Sequence, residues 1–207
     1  MPESSSSSVW QPEPWADVTT LSLVWSEAVG ATPPLGTLLR TALPERWVRF
    51  HYLPDGGRIA STPAERVEVI GRYRSVLAAL DAEAEEHLLV TTCGWRGRSP
   101  APRPADLAEL MPGTHWRDIA PISPGDTDAS VYATSVPADI EVDGWQEFLL
   151  TWVADARTAD VIIGPPSCAC LVHPYDGGKD VISRDPTERG RLAQRFSGWL
   201  SPRPDGL

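Results

Sequence analysis

Lysine is almost missing from this chain. Of its 18 basic residues, 17 are arginines and only Lys179 is a lysine, and asparagine does not occur at all. With 21 prolines, that bias is the mark of a GC-rich coding sequence. Arginine richness therefore says little here about phosphate or carboxylate recognition, although guanidinium suits both. The one lysine stands out because the bias runs against it. Cysteine is scarce and odd in number, three in all, which excludes a fully paired disulfide framework. No apolar run approaches the ~18 residues of a membrane-spanning helix. Positive charge is outnumbered, 28 acidic residues against 18 basic, for a formal net charge of -10 and a pI near 4.8. That balance argues against general affinity for nucleic-acid phosphate or an anionic membrane. Met1 to Ser8 has neither the basic start nor the apolar core of a secretory signal, so the cytoplasm is the expected location.

What is present suffices for a core. A 42% hydrophobic fraction over 207 residues suits a domain that buries roughly 70% of its unfolded surface without a staple. Residues 1–16, rich in Ser, Pro and Glu, are expected to be a disordered tail from which Trp10 and Trp15 can dock; residues 17–207 are expected to form a single domain. A helix is predicted over 17–29 and a second from Leu35 to Pro44. Trp47 to Tyr52 alternates as a strand, with Val48, Phe50 and Tyr52 on one face and Arg49 and His51 on the other, closed by a turn at Pro54-Asp55-Gly56-Gly57. Thr62-Pro63-Ala64-Glu65 is a capping box with proline at the first helical position. Its helix is predicted to reach about Glu86 and to bury Val67, Ile70, Tyr73, Val76, Leu77 and Leu80.

Further strands are predicted at Leu88–Cys93, Ser130–Val136 and Val161–Ile163, with a short helix over 105–111. Asp143 is expected to cap a helix that buries Trp145, Phe148, Leu149, Trp152 and Val153 on one face. Cys168–His173 and Lys179–Ser183 flank Pro174-Tyr175-Asp176-Gly177-Gly178 as a β-hairpin, with positive φ expected at Gly177 or Gly178. A last helix starts at Asp185-Pro186. The order of elements predicts an α+β fold: a mixed or antiparallel sheet of about five to six strands packed by four to five helices.

No nucleotide-binding, metallopeptidase or hydrolase fingerprint occurs, so no catalytic residue, metal or cofactor is assigned. Cys168 and Cys170 have the wrong spacing for a zinc knuckle, and with Cys93 they are expected to be packing residues. Trp95 with Arg96, Arg98 and Arg103 superficially resembles a nucleic-acid patch but is expected to be a solvated loop. The hairpin concentrates the chemistry: an imidazole, a phenol, two carboxylates and the only lysine. The candidate functional surface is therefore Arg49, His51, His173, Tyr175, Asp176, Lys179 and Asp180. The plain alternative is an ordinary turn, with Asp176 and Lys179 exposed and Asp180 paired to Arg184 or Lys179.

Two stretches carry a resemblance. Glu45-Arg46-Trp47-Val48-Arg49-Phe50-His51-Tyr52-Leu53-Pro54 with the following helix (Glu65, Glu68, Tyr73, Val76, Leu77), and His173-Pro174-Tyr175-Asp176-Gly177-Gly178 with Asp180-Val181-Ile182 and Trp199-Leu200-Ser201-Pro202, resemble a bacterial family of uncharacterised proteins. This chain departs from it at Asp55-Gly56-Gly57-Arg58, where the family has serine and lysine. The resemblance implies a cytosolic domain in which the tryptophan strand and the hairpin share one fold; it implies no activity.

The leading functional expectation is a non-catalytic protein-binding domain, immunity-like or regulatory. Its nine tryptophans would serve as interface anchors, and its acidity would steer a basic protein partner toward it. Nucleic acid and membrane are not expected as partners. The alternative is a small hydrolase or ligand-binding enzyme with a pocket around the 173–180 hairpin.

Overall fold

The protein, seen in a computed structural model, is described over residues 12–54, 57, 60–80, 85–95, 102–121, 128–138, 145–154, 157–158, 160–201 and 203. Its elements follow in chain order as β1 (Glu13–Pro14), α1 (Val18–Ala28), α2 (Gly36–Ala42), β2 (Trp47–His51), α3 (Pro63–Ala79), β3 (His87–Trp95) and α4 (Ala105–Leu110). Then come β4 (Thr114–Ile119), β5 (Ala129–Pro137), α5 (Trp145–Ala154), β6 (Ile162–Gly164), β7 (Leu171–Tyr175), β8 (Gly178–Ile182), α6 (Pro186–Arg195) and a 3-10 turn at Ser197–Trp199.

The helix starts follow from local chemistry. Asp17 accepts hydrogen bonds from the Thr19 and Thr20 amides and caps α1. The Thr62–Glu65 capping box opens α3 with Pro63 in the first turn, and Asp185 accepts from the Glu188 amide ahead of Pro186 to open α6. Each arrangement satisfies amides that would otherwise lack partners at a helix start.

All strands join one antiparallel sheet in the order β1-β5-β3-β6-β7-β8-β2, with β4 also pairing to β5. Strand alternation gives the sheet two buried faces. Val48, Phe50, Val172 and Val181 pack with Tyr73, Val76, Leu149, Trp152 and Leu192, so α3, α5 and α6 cover one face. Leu89, Cys93, Val131, Leu171 and Ile182 meet Leu21, Trp25 and Leu39 on the other, under α1 and α2.

The α+β class and the antiparallel sheet agree with the sequence; the element counts do not. Eight strands and six α-helices occur among the described residues, against five to six and four to five expected. The extra strand β4 escapes pattern reading because a bulge between His115 and Arg117 breaks its period of two. Glu13 and Pro14, inside the stretch expected to be a tail, pair with Ser135 and Thr134 at the sheet edge, where proline is tolerated. Along α3 the buried stripe runs through Val69, Tyr73, Val76, Leu77 and Leu80. Val67 lies two residues back, roughly 200° round the helix axis, and is 73% exposed. That helix ends at Ala79 rather than near Glu86. In α5, Trp145, Leu149, Trp152 and Val153 are buried and Phe148 is half-buried. The expectations placed on Trp10, the Asp55-Gly56 turn, Arg96, Arg98 and the Asp143 cap lie outside the described residues.

Candidate functional site

Register and alternation decide which of the candidate side chains meet. Across β7, β8 and β2, His173 pairs with Asp180 and Asp180 with Arg49; Tyr175 pairs with Gly178 and Gly178 with His51. These two cross-strand rows share the face covered by α2. Five of the seven candidates therefore sit together: Arg49, His51, His173, Tyr175 and Asp180.

The centre of the rows is a buried ion pair. Arg49 Nε and Nη2 donate to the two Asp180 carboxylate oxygens at 2.7 and 2.9 Å. The guanidinium lies 4.8 Å above the Tyr175 ring. Asp180 thus pairs neither with Arg184 nor with Lys179. Gly178 is required by space, not by φ. A Cβ there would run into the Phe50 carbonyl and the Tyr175 hydroxyl. Left-handed φ occurs instead at Gly30, Asp160 and Cys168.

His173 is held by residues the sequence did not single out. Its ring rests on Gly36, where any Cβ would collide with it. Its Nε2 lies 3.9 Å from the Asp160 carboxylate, which also accepts from the Gly36 amide at 3.2 Å. His173 Nδ1 is buried with no hydrogen-bond partner. Burial pushes the His173 imidazole below its ordinary value against the opposing pull of Asp160 and Asp180, so the ring is neutral at pH 7. Burial, aided by Arg49, lowers His51 in the same direction. The Tyr175 phenol is pushed up by burial and stays protonated.

Beside His173 a small cleft of ≈ 240 Å³ is lined by Val153, Thr158, Asp160, His173, Pro174, Tyr175 and Asp176. It lies where the β6–β7 pairing stops: Ile163 opposite Val172 is the last rung, so 173–175 run on without a strand on that edge. Thr158 Oγ1 is buried there with no partner. Asp176 brings a second carboxylate from the hairpin turn. Thr158 and Asp160 carry no sequence signal, since they come from the irregular stretch after α5, 124 residues from the Gly36 that Asp160 binds.

Lys179 belongs to the other face. It pairs with Phe50 and Pro174, its side chain is 0% exposed, and its Nζ has no hydrogen-bond partner. The amine lies 4.7 Å from the centre of the Tyr52 ring and 5.6 Å from that of Trp199. Burial, with a smaller push from Arg72, drives the Lys179 amine well below its ordinary value; Glu68 opposes weakly. The exposed-turn alternative fails at this residue. The cause is register: the strand that aims Asp180 at Arg49 aims its neighbour into the core beneath α3.

The three cysteines are buried and form no disulfide. Burial raises Cys93, and raises Cys168 to about 12, so neither is a thiolate at neutral pH. Among the described residues no group of three metal-ligating side chains converges, and no helix is long and apolar enough to cross a membrane.

A family model described as "Domain of unknown function (DUF3885)" matches residues 35–204. The chain belongs to this family. Within the DUF3885 span fall both cross-strand rows, the cleft, Lys179 and the stretches that carried the resemblance to an uncharacterised family. β1 and α1 precede it. No curated protein and no solved structure matches the chain.

Proposed function

We propose that this DUF3885 domain is a non-catalytic cytoplasmic binding protein, regulatory or immunity-like, whose cleft receives an arginine or lysine side chain of a basic protein partner. The observation that carries the reading is the composition of that cleft. Two carboxylates, Asp160 and Asp176, line it with a neutral imidazole and an unsatisfied hydroxyl, and no lysine or arginine is among its described lining residues. Its ≈ 240 Å³ falls below the range of about 300–1,000 Å³ usual for drug-sized ligands, which suits one side chain. A net charge of -10 favours a cationic partner from a distance. Tryptophan anchors do not contribute: every described tryptophan is buried or half-buried.

The test is calorimetric titration with a short arginine peptide and its citrulline isostere, which keeps the shape and removes the charge. The arginine peptide should bind at least tenfold tighter and weaken with salt, and Asp176→Asn should cost about tenfold or more, the scale of a charge-assisted hydrogen bond. Equal affinity for both peptides would overturn the reading. A second reading, a small hydrolase, draws on His173, whose neutral ring lines the cleft and is of the type that serves as a general base. It predicts turnover of a small substrate that His173→Gln abolishes, with no preference for the charged peptide.

A further inference from the structure

Lys179 calls for a physical account that the cleft does not give. It is the only lysine in a chain that otherwise uses arginine for every basic position, and it occupies a fully buried site. An arginine there would stay charged at any accessible pH, whereas a lysine can give up its proton. Its surroundings suit the neutral form. Among the described residues no carboxylate hydrogen-bonds Nζ, and Glu68, whose charge acts on it, is engaged 2.6 Å from Arg72 Nε. Tyr52 and Tyr73 also bury hydroxyls without partners. Arg72, packed 5.0 Å from the Trp199 ring centre, adds a like charge to the same pocket.

The walls around the amine differ in strength. Tyr52 extends from the laddered strand β2, and Glu68, Arg72 and Tyr73 come from α3, a 17-residue helix. The remaining wall is Trp199. It stands on a three-residue 3-10 turn, stacked on Phe196 with ring centres 4.4 Å apart, and its neighbour Leu200 makes a single bridge to Phe50. A short element with few backbone bonds opens at lower free-energy cost than a strand or a long helix.

We infer that Lys179 is a proton-sensitive latch: buried as the free amine it holds the 196–200 cap closed, and on taking up a proton it displaces Trp199 and opens the cap to water. The amine faces the rings of Tyr52, just past the end of β2, and of Trp199 from the cap, and the charges of Arg72 and Glu68 from α3 act on it; Tyr73 of α3 acts on Tyr52 in turn. The two tyrosines are pushed up by burial and stay neutral. Glu68, held by Arg72, is the carboxylate among these groups. Opening requires one proton from solvent and no other reactant.

Because the chain holds one lysine, selective isotope labelling yields a single side-chain signal whose shift reports its protonation directly. In the full chain that signal should be that of a free amine at neutral pH. It should move to the ammonium position at lower pH together with at least tenfold loss of hydrogen-exchange protection at 196–201, after correction for intrinsic rates. In Lys179→Met the cap should stay protected over the same range. An ammonium signal in the closed protein at neutral pH, protonation without loss of cap protection, or the same acid opening in Lys179→Met would each overturn the inference. Should that variant fail to fold, the labelled wild-type protein alone decides.

Discussion

At the scale of single residues, the difference between Lys179 and Asp180 shows how neighbours on one strand acquire opposite electrostatic roles. Asp180 is buried but fully used, with both oxygens held by Arg49. Removing one partner of such a pair leaves a buried charge uncompensated, so Asp180→Ala should lower stability by about 3–5 kcal/mol in denaturant titration. Replacing both residues with apolar ones of similar size should recover most of that loss, because two desolvated charges leave together. Lys179 is buried with no hydrogen-bond partner for its amine. Lys179→Met should raise stability by about 1–3 kcal/mol at neutral pH, the cost of burying an unsatisfied polar group. The pH dependence has a definite sign. A base whose folded value lies below its unfolded one binds its proton first in the unfolded chain. Stability is therefore highest above the unfolded value, about 10.4, and falls as pH drops toward the depressed folded value. Buried tyrosines and cysteines act oppositely in alkali. The difference between wild type and Lys179→Met between pH 6 and 8.5 isolates the lysine; it should shrink as pH rises.

At the scale of elements, the parts that local chemistry specifies are the ones the sequence makes legible. Thr62-Pro63-Ala64-Glu65 announces α3 because the cap is built from adjacent residues. Trp47 to Tyr52 announces β2 because every second side chain enters the core. The α5 stripe is legible for the same reason, with Trp152 buried. Elements whose form depends on distant partners are not legible: β4 carries a bulge, β1 has two residues, and the Cys168 end of the expected hairpin turns away at a φ of 52°. Two substitutions weigh these contributions. Thr62→Ala, at an exposed cap, should cost about 1 kcal/mol. Trp152→Ala, in the core, should cost about 3–5 kcal/mol. Thermal unfolding of both should rank them in that order; comparable losses would mean that α5 packs more loosely than its burial indicates.

At the scale of the whole molecule, the candidate site was legible as a set of residues but not as a place. The hairpin string supplied His173, Tyr175 and Asp176, and alternation grouped Arg49 with His51. Which residues would complete the cleft depended on the loop after α5 returning beside α2, a long-range closure that leaves no periodic trace around Thr158 and Asp160. In sequence Lys179 stands beside the other candidates, whereas the sheet divides them between its faces. The central claim is that the acidic cleft beside the hairpin is where the domain takes a cationic group. Amide chemical-shift mapping with N-acetyl-arginine amide tests it most directly. The account predicts saturable shifts centred on Thr158, Asp160, His173, Tyr175 and Asp176, much reduced in Asp176→Asn, whose stability should change by only about 0.5 kcal/mol. Absence of shifts at that cleft, or shifts centred instead on the larger opening beside Arg46 and Arg184, would contradict it.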